Sequence, residues 1–169
     1  MELLDGILTR RSIRKYTNQE VSQNQIEIML KAAMYAPSAN NQQPWQFVVI
    51  QNKEILNEIS KVHPYAKMLN QTNLAILVCG DEHLELSKGY WVVDCSAATQ
   101  NILLAAHSIG LGAVWLGLHP REERKNAIRD ILKLPDHIQP LSLISVGYPN
   151  EIKETPNRYK PERIHYNAW

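Results

Sequence analysis

Apolar positions fall into runs of two kinds, and their periods predict most of the elements. Leu3, Leu4, Ile7 and Leu8 recur at helical spacing and predict a short amphipathic opening helix. Ser22 with Gln25 forms a capping-box pattern ahead of Ile26, Met29, Leu30 and Ala33, which share one helical face. Pro37 ends that helix, because it pushes Ala36 away from helical angles. Residues 47–50 read as a buried strand, 53–62 as a helix with Ile55, Ile59 and Val62 inward, and 74–79 as a second buried strand closed by Gly80 and Asp81. The longest helical segment runs from about Tyr90 to Ile109. Val92, Val93, Ala97, Ala98, Ile102, Leu103, Ala105 and Ala106 leave little of its circumference polar, so it should be a central helix covered by a sheet and by something else.

Gly110 reads as its cap, and residues 113–116 as a third strand. Pro120 suits the first position of a further helix, with Glu122 and Glu123 at its positive end and a stop near Leu134 and Pro135. Residues 141–146 make a fourth strand. From Asn150 onward the apolar periodicity fades, yet aromatics persist beside Arg158, Lys160 and Arg163. Such a tail is expected to pack on another surface, a second subunit for instance. Four strands interspersed with helices predict a layered α+β or α/β fold in one domain spanning residues 1–169.

Bulk composition narrows the function classes. Hydrophobic content of 44% and charged content of 21% are ordinary for a globular chain, and a net charge of +1 gives no global attraction for nucleic acid or acidic lipid. Cys79 and Cys95 lie in apolar segments, too few for a disulfide framework, and read as reduced core residues of a cytoplasmic chain. Asp5 and Arg10-Arg11 interrupt the early apolar residues, so no signal peptide is expected, and no run approaches the ~20 apolar residues of a membrane helix.

Three stretches carry candidate chemistry. Pro37-Ser38-Ala39-Asn40-Asn41-Gln42-Gln43-Pro44-Trp45 presents amides and hydroxyls beside a flat aromatic, where a plain turn would be shorter and richer in Gly or Asp. It reads as the border of a cofactor. Arg10, Arg11, Ser12 and Arg14 set three guanidiniums and a hydroxyl within five residues, a donor set that matches phosphate. The same cluster also reads as a solvated charged turn, and as a nucleic-acid contact it lacks a basic helix face. Gly110-Leu111-Gly112 follows a helix and precedes a strand, the reverse of a dinucleotide fingerprint. Gly117, at a strand end, would let a flat ligand approach the backbone. The six histidines show no metal-ligand spacing, and neither a nucleophile elbow nor a Walker sequence exists, so no metal site and no catalytic side chain is expected. A cofactor would carry the chemistry.

Taken together, the segments resemble the nitroreductase family of flavin-dependent oxidoreductases, its short members in particular. The resemblance rests on Arg10-Arg11-Ser12-Ile13-Arg14-Lys15-Tyr16, on the stretch from Ala36 to Trp45, on Asp94 to Gly112 with Ala98 and Asn101, on Trp115-Leu116-Gly117, and on Arg163-Ile164-His165-Tyr166-Asn167. It implies an α+β fold with a central, mainly antiparallel sheet flanked by helices, and an intertwined homodimer with FMN at the subunit interface. It further implies that Arg10, Arg11, Ser12 and Arg14 hold the FMN phosphate and ribityl side, with Lys160 or Arg163 adding a cation. Pro37, Ser38, Ala39 and Asn41 of the partner would border the ring, Gly117 would face the flavin N5 with Leu116 and Leu118 beside it, and Lys67 would lie near the pyrimidine edge. The implied activity is ping-pong hydride transfer from NADH or NADPH to nitroaromatic or quinone-like acceptors. Reductive dehalogenation, flavin breakdown or non-catalytic flavin binding are the alternatives on the same scaffold. The short connection from Gly112 to Pro120 lacks the long insertion of larger members and implies a more open acceptor pocket.

Overall fold

A computed structural model describes residues 2–169. Strands β1 (Trp45–Ile50), β2 (Leu74–Asp81), β3 (Gly112–Gly117) and β4 (Ile138–Gly147) form one sheet in the order β1-β2-β4-β3, and every neighbouring pair is antiparallel. Helices α1 (Leu3–Thr9), α2 (Gln23–Met34), α3 (Lys53–Val62), α4 (Trp91–Ser108) and α5 (Glu122–Leu132) complete the architecture. The period of two along β2 explains the layering. Leu74, Ile76 and Val78 face a core shared with α2 and α4, and Ala75, Leu77 and Cys79 face a second core with Leu56, Ile59 and Ile128 of α3 and α5. Both faces of the two central strands are therefore covered, and β2 accordingly reads as an unbroken apolar run from Leu74 to Cys79.

Several expectations hold in detail. The Ser22–Gln25 capping box is formed in both directions, α4 is the central helix, and Gly110 adopts the left-handed conformation (φ 80°) that follows a helix end. Both cysteines are free and buried, and burial pushes the Cys79 thiol up to about 12.

Other expectations are corrected. Val62 is 45% exposed, and Leu56 takes the inward position instead, because Leu56 and Ile59 share the face turned to the sheet. Pro120 is not the first helical residue: it follows a cis peptide in a turn, and α5 starts at Glu122 with Arg121 as its N-cap. β1 is an edge strand with a half-exposed middle rather than a fully buried one. β4 starts earlier than expected because Pro140 fits inside it opposite Cys79, where the β2 register shifts.

The segment after α1 is woven into the sheet edge: Ile13 donates to the Ala113 carbonyl at 3.0 Å, and Ser12 bridges Ala113 in parallel. Gly112 is required there, since a Cβ would lie 2.7 Å from the Ile13 side chain.

The molecule leaves apolar surface uncovered. Leu3, Leu4, Ile7 and Leu8 of α1 are all exposed, only Gly6 of that helix is buried, and Val93 on α4 is 61% exposed. Residues 152–169 form no strand or α-helix, only a single 3-10 turn at Pro161–Arg163, and leave Ile152, Tyr159, Tyr166 and Trp169 in the open. A compact monomer of 19.4 kDa should expose roughly 8,500 Å² by size scaling, and this chain exposes 10106 Å². No helix is long and apolar enough to cross a membrane among the described residues.

Candidate functional site

The cations gather near the C-terminal end of α4. Arg10 and Arg11 line a groove with Leu103, His107, Gly110, Glu151 and Lys153, and they line a second with Leu8, Pro156, Arg158 and Tyr159. Arg14 and Lys67 share an adjoining depression with Lys15, Gln71, Glu151 and Lys153. Glu151 and Lys153 border both, so the grooves form one basic trough. Among the described residues the salt bridges are Lys125–Glu122 and Lys153–Glu151, and neither neutralises Arg10, Arg11, Arg14 or Arg158. Burial, then the charges of Arg11 and Arg158, push the Arg10 guanidinium below its ordinary pKa. Clustered guanidiniums without a carboxylate partner fit a dianionic phosphate.

The arginines differ in what else they do. Arg11 donates to the carbonyls of Glu154 (3.1 Å), Arg10 (2.5 Å) and Leu8 (2.7 Å), so it ties the end of α1 to the tail. Arg14 meets Glu151 through its backbone amide at 2.5 Å, which leaves its guanidinium uncommitted by that bond. Burial acts to raise the Glu151 carboxyl, and the Arg14 amide, Lys153 and the Lys15 amide outweigh it and hold it below its usual range. Of the tail cations, Arg158 reaches the Arg10–Arg11 pair. Lys160 and Arg163 lie farther along the exposed tail, outside these grooves, so the single chain does not bring either to the cluster.

The end of β3 contributes an opening. Gly117 has nothing within 4 Å of where a Cβ would stand. Its carbonyl accepts from Arg124 Nη1 at 3.0 Å and lies 3.1 Å from His63 Nε2. Tyr65 donates its amide to His63 Nδ1 at 3.2 Å, which leaves Nε2 as the protonated nitrogen of a neutral ring. Burial lowers the His63 pKa, the Gly117 carbonyl works against that, and Arg124 adds to the lowering. Strand alternation turns the neighbours away: the Leu116 and Leu118 side chains are 3% and 0% exposed inside the α3–α5 core. Any approach of Leu116 and Leu118 to a bound ring would therefore be made through their backbone.

The amide-rich loop sits at the other end of α4. Asp94 accepts from the Ala39 amide at 3.0 Å and from Gln42 Nε2 at 2.6 Å, while Gln42 Oε1 accepts from the amides of Leu86 and Ser87. Ser38 Oγ accepts from the Gln43 amide at 3.1 Å, and Asn41 Oδ1 from Gln43 Nε2 at 2.9 Å. Asn40, Asn41 and Gln43 all have φ near 50°, a left-handed conformation that non-glycine residues adopt at a cost. The loop is held in a strained shape by a buried carboxylate and a buried amide. Pro37, Ser38, Ala39 and Asn41 are thus brought together, with Gln42 and Asp94 as their anchors.

The two halves do not meet within one chain. Asp94 and His107 are separated along α4 by about 20 Å at a rise of roughly 1.5 Å per residue. Asp94 and His63 were not legible as site residues, since their partners Ala39, Gln42 and Gly117 are more than fifty residues away in sequence.

Comparison with known proteins shows the family. The profile of the nitroreductase family matches residues 7–78 and 60–148. A protein of Methanothermobacter thermautotrophicus, provisionally named NADH dehydrogenase/NAD(P)H nitroreductase, is 50% identical over all of this chain and 88% of its own length. The crystal structure of a similarly named Parabacteroides distasonis protein is 43% identical and covers 99% of this chain and 98% of that one, with a TM-score of 0.95. An FMN-dependent nitroreductase of Clostridium difficile, 31% identical, superimposes with a TM-score of 0.91 over 98% of this chain and 99% of its own. The chain belongs to the nitroreductase family.

Proposed function

We propose that the chain is an FMN-dependent NAD(P)H oxidoreductase that reduces nitroaromatic or quinone-like acceptors, working as a homodimer with its flavin sites between subunits. The observation that carries this reading is the separation of two complementary half-sites. An unneutralised cation trough lies near one end of α4, and a strained, amide-rich loop lies at the other. A two-fold partner would set the loop of one chain against the trough of the other, and would cover α1, Val93 and the tail. An FMN-dependent relative and an FMN complex of a Desulfovibrio desulfuricans family protein, 30% identical, support the choice of cofactor.

In this reading Arg10, Arg14 and Arg158 supply charge for the phosphate, Ser12 a hydroxyl, and Arg11 the scaffold that keeps Arg10 and the tail in place. Lys160 or Arg163 would add a further cation from the partner's tail. Pro37, Ser38, Ala39 and Asn41 of the partner border the ring, Lys67 adds a cation at its pyrimidine edge, and Gly117 leaves the space in which the ring approaches the backbone. The bound flavin supplies a two-electron carrier that is reduced by NADH or NADPH and reoxidised by the acceptor in alternating half-reactions. No side chain serves as acid or base. The charge of Arg124 and the His63 ring fix the Gly117 peptide, so the backbone keeps its position without moving. Titration of flavin-free protein with FMN tests the reading: one FMN per chain with loss of binding in Arg10→Ala supports it, and no binding by the intact protein refutes it.

A further inference from the structure

The fold joins two histidines that the sequence keeps far apart. Asp81 ends β2, His83 follows it in the next turn, and His137 stands just before β4. The rings of His83 and His137 stack with centroids 4.1 Å apart and planes within 7°. One potential ligand atom from each of Asp81, His83 and His137 lies within 4.8 Å of the other two. Sequence spacing gave no hint of this, because the pairing is made by the antiparallel register of Asp81 opposite Ile138.

We propose that Asp81, His83 and His137 bind a divalent transition-metal ion of the zinc type, with water completing the coordination. Two imidazoles and a carboxylate are ligands that zinc accepts in four-coordinate sites. Tetrahedral bonds of about 2.0–2.1 Å put ligand atoms roughly 3.4 Å apart, so the trio needs to close by little more than about 1 Å. The parts that must move are free to do so: His83 is exposed and can turn about its side-chain bonds. The part that must stay is fixed. Asp81 is 9% exposed, its Oδ1 accepts the His83 amide at 2.9 Å, and its Oδ2 is 3.4 Å from Gln46 Nε2. A carboxylate with two such bonds retains lone pairs for a metal. Among the described residues, no hydrogen bond engages a ring nitrogen of His83 or His137. The Glu82 amide also donates to the His137 carbonyl at 3.0 Å, so the two backbones are already held at the right separation.

The ion's role follows from its place. The Asp81 amide donates to the Pro44 carbonyl at 2.7 Å, at the root of the strained loop. A metal here would staple the end of β2 to the start of β4 and stiffen the base of that loop, apart from the cation trough.

Zinc titration of the full chain in competition with a chromogenic chelator, with cobalt absorption as a second readout, tests this. The expected result is one tight equivalent per chain and a raised Tm. Loss of an outer partner alone costs metal sites about 10–100-fold, so His83→Gln and His137→Gln should each weaken binding by at least about tenfold. His165→Gln, on the tail, should leave it unchanged. His83 is exposed, so its variant should fold and read the site directly. Binding that is equal in His83→Gln and the intact chain, or no zinc uptake by the intact chain, overturns the proposal.

Discussion

Gln42 Nε2 donates a 2.6 Å hydrogen bond to Asp94 Oδ2, joining the amide-rich loop to the first turns of the central helix in a nearly dry setting. Replacing Asp94 by Ala strips the partner from both that amide and the Ala39 N–H. The stranded Gln42 amide is buried and costs about 1–3 kcal/mol, the half-buried Ala39 N–H less. Thermal unfolding of Asp94→Ala should therefore show Tm lowered by several degrees, and its flavin affinity should fall because the loop loses its strained shape. Asp94→Asn, which keeps an acceptor, should fall between.

Arg10 and Arg11 should separate by phenotype. A charge-assisted hydrogen bond is worth about 1.5–3 kcal/mol, so Arg10→Ala should weaken FMN binding by roughly 10- to 100-fold with little change in Tm. Arg11→Ala should lower Tm as well, since it releases three carbonyls that fasten α1 to the tail. Fluorescence titration with FMN beside thermal melts would distinguish them.

Gly117 and Gly112 offer a second contrast on one strand. Open space faces Gly117, so Gly117→Ala should fold with stability held or raised by up to about 1 kcal/mol, yet bind FMN less tightly. Gly112→Ala meets the Ile13 side chain at 2.7 Å and should lose about 1–3 kcal/mol of stability. Chemical denaturation of both variants is the check.

Stability should fall as the solution is acidified. Burial is the leading cause that lowers the pKa of His63, His107 and His119 below the ordinary 6.5, with nearby cations adding to it. Below pH 6.5 the unfolded chain then takes up protons that the folded chain refuses. The denaturation midpoint should hold above about pH 7 and decline from there toward each folded pKa. His63→Gln should flatten part of that slope, measured by urea unfolding across pH 5 to 8.

The proposed dimer would bury Val93 and the α1 leucines against a second copy, so Val93→Glu should disrupt it. Light scattering should show a smaller particle, and FMN should be lost with it. A Val93→Glu protein that stays dimeric would place the interface elsewhere.

How much of this was legible in the sequence depends on range. The Ser22 capping box, the Gly110 cap and the apolar α4 are local patterns, and they are where the sequence puts them. The loop from Pro37 to Trp45 was recognisable by composition, but its anchor was not, since Asp94 reads as one polar residue in an apolar helix. Leu116 and Leu118 look alike to Gly117 in sequence position, and only the strand's alternation sends them into the core. Val62 misled because helical period alone does not choose between two apolar faces. The stacking of His83 on His137 depends on strand register, which no spacing rule reaches.

Under the proposed function this fold holds a flavin and turns it over with a nicotinamide. The most direct measurement is the visible absorbance of the purified protein with FMN, recorded without oxygen before and after NADH or NADPH is added. Bound flavin that bleaches on addition and recovers when a nitroaromatic or quinone is supplied is the predicted result. Protein that retains no FMN, or FMN that stays oxidised with both nicotinamides, would contradict it.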